Sequence, residues 1–174
     1  ILVNFCMQFG ISLFNRNSLF VSYIVEPRNR NDIEQIQKLD LQIDELVTNG
    51  SEGVYCTASS VILNSDICNK AFGAKSPLHF IVDAADVDLR DGFHTAFFDA
   101  DIIISTETAQ THLSHGQEII NVLNTLFLNE TEFSRKYLKV GTYVLDEGVT
   151  AYIWVKQKEL SRRDIVSVQE MLSE

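Results

Sequence analysis

Apolar residues recur at helical spacing in two separate stretches of the chain, residues 32–48 and 115–128. The first carries Ile33, Ile36, Leu39, Ile43, Leu46 and Val47, and the second carries Ile119, Ile120, Val122, Leu123, Leu126 and Phe127. A capping-box pair stands at the start of each stretch, Asn31 with Glu34 and Ser114 with Gln117. An apolar stripe behind such a pair is typical of an amphipathic helix, so we predict a helix over both.

Runs rich in β-branched and aromatic residues predict strands over residues 5–14, 19–25, 54–63, 78–89, 93–105, 138–145 and 149–158. Two turn signals lie between neighbouring runs, Arg90-Asp91-Gly92 and Asp146-Glu147-Gly148, and each predicts a β-hairpin. Residues 65–73 indicate a short helical turn. Near the end of the chain, Ser161 and Asp164 predict the capped start of a helix over residues 162–172.

This order of elements predicts a single α+β domain over residues 1–174, with a mainly antiparallel sheet, two main helices and a short C-terminal helix. Residues 1–27 are its N-terminal part, a predicted β-hairpin or strand arm. The apolar start is shorter than the roughly 20 residues that a membrane-spanning helix needs, and Asn4, Gln8 and Ser12 interrupt it. We therefore interpret this start as a buried strand.

The acidic balance of the chain disfavours two classes of partner. There are 24 Asp and Glu residues against 14 Lys and Arg residues, which gives a net charge of −10. Such a surface attracts neither nucleic-acid phosphates nor anionic lipids, so we expect no direct nucleic-acid grip and no membrane partner. Cys6, Cys56 and Cys68 lack CxxC spacing, which fits reduced thiols in a compartment such as the cytoplasm.

The stretch from residue 80 to residue 94 is rich in carboxylates. It contains Asp83, Asp86, Asp88 and Asp91, followed by Gly92 and His94. An EF-hand loop starting at Asp86 would need a ligand where Arg90 stands and a glutamate where Phe97 stands, so this stretch is not an EF-hand. Strand alternation predicts that Asp86 and Asp88 lie on the solvated face of a strand. A different divalent-metal site that uses Asp86, Asp88 and Asp91 stays open.

His112 and His115 form an HxxH pair ahead of the second predicted helix. This spacing is much less specific for zinc than HExxH. With His94 or Asp99 the pair would complete a metal-ligand set, and a polar loop leading into the helix is the simpler interpretation.

Cys56, Ser59 and Ser60 are the candidate nucleophiles, and they lie in a strand-like run. No GxSxG, SxxK or cysteine-protease signature accompanies them. The sequence also lacks GxGxxG and GxxxxGK[ST], the loops that cradle nucleotide phosphates. We therefore assign no catalytic residue and no cofactor from the sequence.

Tyr152 and Trp154 lie on one face of the last predicted strand, next to Lys156 and Lys158. If that face is exposed, two aromatic side chains beside lysines predict a protein–protein interface. If it is covered, they pack against a helix.

Residues 78–158 resemble, in the order of their segments, the tail-terminator and head–tail joining proteins of tailed phages. An apolar strand, AFFDADIIIST, precedes a polar loop, the capped helix GQEIINVLNTLFL and the closing hairpin KVGTYVLDEGVTAYIWVKQ. The likeness is one of layout over about half of the chain, and it carries over no functional residue. It implies a virion subunit that assembles into a ring with copies of itself and with other structural proteins.

These observations favour a non-enzymatic structural or assembly protein that acts through oligomeric contacts, in a virion neck or tail. The alternative is a small cytosolic enzyme or a divalent-metal-binding domain that uses the carboxylates from Asp83 to Asp91.

Overall fold

The computed structural model of the chain describes residues 30–71, 81–84 and 86–173. The predicted N-terminal β-hairpin or strand arm of residues 1–27 lies outside these described residues. The elements below belong to the compact unit Asp32–Glu174.

Six α-helices and five strands follow one another in the described part of the chain. Their order is α1 (Ile33–Thr48), β1 (Val54–Cys56), α2 (Ser65–Asn69), β2 (Ile81–Asp83), α3 (Asp88–Asp91), α4 (Ala96–Asp99), β3 (Ile102–Thr106), α5 (Glu118–Leu128), β4 (Tyr137–Val144), β5 (Thr150–Lys156) and α6 (Arg162–Ser173). Two short 3₁₀ segments, Ser134–Lys136 and Asp146–Gly148, flank β4. None of the described helices is long and apolar enough to cross a membrane.

The five strands form one sheet in the order β2-β1-β3-β5-β4. Strand β1 pairs in parallel with β2 and with β3, whereas β5 runs antiparallel to β3 and to β4. The predicted α+β class is confirmed, and the sheet is mixed and not purely antiparallel: its longer pairings, β3 with β5 and β4 with β5, are the antiparallel ones. In the short parallel strands, apolar and polar residues do not alternate, because helices cover both of their faces. Their sequences therefore do not show whether they pair in parallel or antiparallel.

The hairpin predicted at Arg90-Asp91-Gly92 is wrong. Arg90 and Asp91 belong to the short helix α3, and the short helix α4 follows, so no turn between two strands forms here. Gly92 has φ of 67° and its N–H donates to the Asp88 carbonyl oxygen, so it ends α3. A glycine with positive φ suits a hairpin turn and a helix C-terminus equally well, which is why the Asp-Gly pair misled the prediction.

Helices lie on both faces of the sheet. One face packs against α1 and α2 through a core that includes Ile36, Leu39, Ile43, Val54, Cys56, Cys68, Ile102, Ile104 and Ile153. The other packs against α4, α5 and α6 through Tyr55, Phe97, Ile103, Ile120, Leu123, Phe127 and Val168. The C-terminal helix is therefore a full part of the second layer.

The β4–β5 hairpin and its turn at Asp146–Gly148 are confirmed. Trp154 belongs to the face that α5 covers: its ring centroid is 5.1 Å from that of Phe127, and its Nε1–H donates to Ser105 Oγ at 2.8 Å. Next to it, the Lys139 ammonium lies 4.7 Å above the ring of Tyr152. Trp154 therefore packs against α5. A protein–protein interface at Tyr152 stays a prediction.

The predicted capping pair of α6 is also confirmed. The carboxylate of Asp164 accepts the Ser161 N–H at 2.7 Å, and the Asp164 N–H donates to Ser161 Oγ at 3.3 Å. This hydrogen bonding to Ser161 lowers the pKa of Asp164.

Asn124 of α5 holds β1 and β3 together at their carboxyl ends. Its Nδ2 donates to the Thr57 carbonyl oxygen at 2.7 Å, and its Oδ1 accepts the Thr106 N–H at 2.8 Å and the Thr57 hydroxyl at 3.0 Å. The side chain is 1% exposed. Loss of this amide would leave several buried polar groups unpaired, and each of them carries a desolvation cost.

We predict that Asn124→Ala lowers the free energy of unfolding by about 2–4 kcal/mol, because the polar groups of Thr57 and Thr106 lose their partner. Urea unfolding followed by circular dichroism measures this change. The matched control is Asn121→Ala, at an exposed position of the same helix. Equal effects of the two substitutions would contradict the role given to Asn124.

Candidate functional site

The carboxyl ends of β1, β2 and β3 lie at one edge of the sheet because these strands are mutually parallel. The chain runs from β1 to β2 on one side, and then crosses to the other side of β1 to form β3. This change of direction is a topological switch point, where open parallel sheets leave a crevice that ligands occupy. The switch point therefore marks this edge as the candidate site.

Hydrogen bonds join the loops that follow β1 and β3. The Ser59 N–H donates to the Gln110 carbonyl oxygen at 2.8 Å, and Ser60 Oγ donates to Gln110 Oε1 at 3.1 Å. Ser59 also forms an isolated parallel bridge with Thr111. The two loops therefore form a single, well-packed wall beside the switch point.

A pocket of about 380 Å³ opens beside the carboxyl end of β2. It is lined by Asp83, Ala84, Asp86, Arg90, Asp91 and His94. This volume is within the range of about 300–1,000 Å³ that small-molecule sites occupy. Three aspartates of this stretch, Asp83, Asp86 and Asp91, thus line an open pocket instead of covering one face of a strand.

Two of the pocket carboxylates have both of their oxygens hydrogen-bonded to protein donors. Asp83 accepts the Ser65 N–H at 2.8 Å and the Ser65 hydroxyl, and burial raises its pKa against the effect of these hydrogen bonds. Asp91 accepts Arg90 Nη2 at 2.6 Å and the Val87 N–H at 3.0 Å. The hydrogen bond from Arg90 lowers the pKa of Asp91 to about 2.

Asp86 keeps one carboxylate oxygen available to a ligand. Its Oδ1 accepts the Ser59 hydroxyl at 3.0 Å, and its Oδ2 lies 3.9 Å from Arg90 Nη2. The side chain is 61% exposed. A ligand in the pocket can therefore donate a hydrogen bond to Asp86 Oδ2.

His94 presents a second acceptor atom. Its Nδ1 is 3.0 Å from the carbonyl oxygen of Asp83, which can only accept. Nδ1 of the neutral ring must therefore carry the proton, and the unprotonated Nε2 is the acceptor.

The Ser59 hydroxyl lies between two functional groups. It is 3.0 Å from Asp86 Oδ1 and 3.1 Å from His112 Nδ1. Through this hydroxyl, the loop after β3 reaches the carboxylate that lines the pocket. The sequence offered Ser59 and His112 as separate candidates, and the structure brings them together with Asp86.

Other predicted residues serve different roles. Asp88 faces α5, where its Oδ2 accepts the Ile119 N–H at 3.1 Å, so it stabilises the start of that helix. Burial raises the pKa of Cys56 well above its ordinary value, which keeps the thiol protonated and a weak nucleophile. His115 and Asp99 are exposed.

Among residues 30–71, 81–84 and 86–173, no three His, Cys, Asp or Glu side chains are arranged to hold a metal ion. The described side chains of Asp86, Asp88, Asp91, His112 and His115 therefore do not form a group of three metal ligands.

The role of Gln117 was not predicted from the sequence. This side chain is 2% exposed, and its Oε1 accepts the N–H groups of His112 and Leu113, each at 2.9 Å. It stands immediately before α5, whereas the sequence suggested a capping box with Ser114. The available signal was the polar segment HLSHGQ, which ends at Gln117 directly before the apolar stripe of α5.

Comparisons with protein-family models, with curated protein sequences and with solved structures gave no match for this chain.

We predict that Ser65→Ala raises the pKa of Asp83 further, because the Ser65 hydroxyl stabilises the ionised carboxylate. A carbon-13 NMR titration of the carboxyl groups measures this. Asp164, whose pKa depends on Ser161, is the internal control and should not change. An unchanged or lowered pKa of Asp83 would show that Ser65 does not stabilise its charge.

The same substitution has a consequence for stability. A carboxyl with a raised pKa in the folded state binds its proton more tightly there than in the unfolded chain, so stability falls as the pH rises from 3.8 through the folded pKa. Ser65→Ala should enlarge this fall.

Proposed function

We propose that the chain binds a small, hydroxyl-bearing molecule in the pocket at the carboxyl end of β2. The observation that carries the proposal is the cavity of about 380 Å³ with Asp86 and His94 on its wall. This proposal develops the alternative function suggested by the sequence, that of a small enzyme or binding domain that uses the carboxylates from Asp83 to Asp91. We expect it to act in the cytoplasm.

The charges around the pocket favour a neutral or cationic ligand. Among the described residues, three carboxylates and one guanidinium line it, and this guanidinium, that of Arg90, is paired with Asp91. A phosphate group would therefore meet net repulsion.

The hydrogen-bonding atoms favour a ligand that donates. Asp86 Oδ2 and His94 Nε2 are both acceptors, and hydroxyl groups are the neutral donors that suit them. Carboxylates near the end of a parallel strand bind ribose hydroxyls in other open α/β sheets. A ribose or a similar diol is thus the ligand class that this wall suits best.

The test uses adenosine and free ribose as probes, with AMP as the phosphorylated counterpart of adenosine. Calorimetric titration and ligand-observed NMR measure binding. We expect adenosine to bind more tightly than AMP, because the phosphate adds charge of the same sign as the pocket.

We further expect Asp86→Asn to weaken adenosine binding by roughly threefold to tenfold, because a hydrogen bond to a charged acceptor becomes one to a neutral amide. Asp99→Asn, at an exposed position outside the pocket lining, is the matched control. The absence of binding by any probe, or an equal loss in both variants, would refute the proposal.

A second candidate function is assembly through strand β4, as a subunit of a virion neck or tail. Strand β4 ends the sheet, and within the described residues no strand pairs with its outer edge. Leu138 and Val144 on this strand are 54% and 60% exposed. An edge strand with exposed apolar residues is able to pair with a strand of another copy.

A bulge at Val140 divides this edge into two segments. The register shifts between Lys139 and Gly141, and the Val140 carbonyl oxygen accepts Gln42 Nε2 at 3.1 Å. The segment from Gly141 to Val144 remains a regular partner for an added strand.

If the protein assembles through β4, Val144→Lys should convert an oligomer into smaller species, because a buried lysine would lose its hydration. Size-exclusion chromatography with light scattering measures the mass. Leu41→Lys, at a position 55% exposed on α1, is the matched control. A wild-type monomer at high concentration, or equal dissociation by Leu41→Lys, would contradict assembly through this edge.

A further inference from the structure

A second pocket, of about 390 Å³, opens at the amino ends of β1 and β3, away from the pocket beside β2. Its wall includes Asn49 and Ser51 after α1, Asp101 before β3, Lys156 at the end of β5, and the following Lys158 and Glu159. We propose that this pocket binds a free α-amino acid as a zwitterion, with the carboxylate at the two lysines and the ammonium at Glu159. This inference is independent of the proposed function.

Backbone hydrogen bonds hold the segments that form the wall. After α1, the N–H groups of Asn49, Gly50 and Ser51 donate to carbonyl oxygens of the last turn at 3.0, 3.0 and 3.2 Å. Gly50 has φ of 102°, so the chain leaves the helix there. On the other side, the Lys156 N–H donates to the Asp101 carbonyl oxygen at 2.8 Å. The pocket is therefore built on fixed ends of a helix and two strands.

The ammonium of Lys156 provides the most firmly placed donor. Its side chain is 11% exposed, and its Nζ lies 3.0 Å from Asp101 Oδ1 and 3.4 Å from the Asp99 carbonyl oxygen. An ammonium has three N–H groups, and these two contacts use two of them. Within the described residues, the third N–H is left for an acceptor on a ligand in the pocket that Lys156 lines.

The carboxylate of Asp101 is already saturated by protein donors. Its Oδ1 pairs with Lys156, and its Oδ2 accepts the Glu52 N–H at 2.8 Å. The charge of Asp101 is therefore compensated inside the wall, and a ligand meets Glu159 as the acceptor and the lysines as donors.

The charges of the wall favour a ligand that carries both signs. Among the described residues, Lys156 and Lys158 balance Asp101 and Glu159, so the pocket has no net charge. A purely anionic ligand would meet Glu159 and the partial negative charge at the C-terminus of α1. A purely cationic ligand would meet two ammonium groups.

An α-amino acid satisfies this requirement in the smallest space. At neutral pH it carries a carboxylate and an ammonium on the same carbon atom, and charge-assisted hydrogen bonds to both are the strong kind. The pocket volume of about 390 Å³ is within the range of about 300–1,000 Å³ that small-molecule sites occupy.

The first test compares alanine with two analogues that each lack one charge, propionate and ethylammonium, at pH 7. Saturation-transfer NMR measures the binding of each probe to the protein. We expect alanine to bind roughly twofold to fivefold more tightly than either analogue, the gain typical of one partly exposed ion pair. Equal affinity of the three probes, or no binding of alanine, overturns the proposal.

The second test assigns the two halves of the ligand to two exposed residues of the wall. Lys158→Gln should weaken alanine and propionate by roughly twofold to fivefold and should not weaken ethylammonium. Glu159→Gln should weaken alanine and ethylammonium and should not weaken propionate. The matched controls, Lys38→Gln and Glu34→Gln at exposed positions of α1 outside the wall, should change no affinity. Loss of the same probes in both wall variants, or an equal effect of the controls, overturns the proposal.

The two pockets are separated by Asp86→Asn, which alters only the one beside β2. We expect this substitution to leave the alanine affinity unchanged. An effect on alanine would place it in the pocket beside β2 and overturn the inference, whereas a failure of adenosine and ribose to bind counts against the proposed function alone.

Discussion

The amide of Asn124 is the contact on which the candidate site depends. Thr57 and Thr106 are fully buried at the carboxyl ends of β1 and β3, so their backbone polar groups need protein partners. Asn124 satisfies the Thr57 carbonyl oxygen and the Thr106 N–H together. It thereby fixes α5 against the sheet, and the start of α5 places Gln117, which in turn fixes the backbone at His112. A buried polar network of this kind specifies one geometry only when all its members are paired.

The same helix also positions the pocket wall. Asp88 of α3 accepts the Ile119 N–H at the start of α5, and its own N–H donates to the Gly116 carbonyl oxygen at 2.8 Å. These contacts attach α3, and with it the Arg90–Asp91 pair, to the element that Asn124 holds. Side chains on such supported elements keep their geometry better than side chains on free loops, as ligand binding requires.

The sequence predicted the elements whose signals are local. Helices α1 and α5 have long apolar stripes, and the β4–β5 hairpin has its own turn, so short-range periodicity was sufficient. The parallel pairing of β1 with β2 and β3 was not predictable in this way, because it depends on helices covering both faces. The sequence predicted only part of the site. Asp86 and His112 were candidates because of their residue types. Gln117 and Asn124 could not be predicted, because they bind backbone groups from segments that meet only in the folded chain.

The aspartate-rich stretch shows how a cluster of acids is divided among separate tasks. Asp83 binds Ser65, Asp88 binds the start of α5 and Asp91 binds Arg90, so the charge of each is stabilised by its own donors. Of these four aspartates, only Asp86 has an exposed side chain that is also hydrogen-bonded to Ser59, another candidate residue. The site also lies beside β2, whereas the exposed apolar edge belongs to β4 at the opposite end of the sheet. Assembly through β4 would therefore leave the pocket accessible, and the two candidate functions are compatible in one molecule.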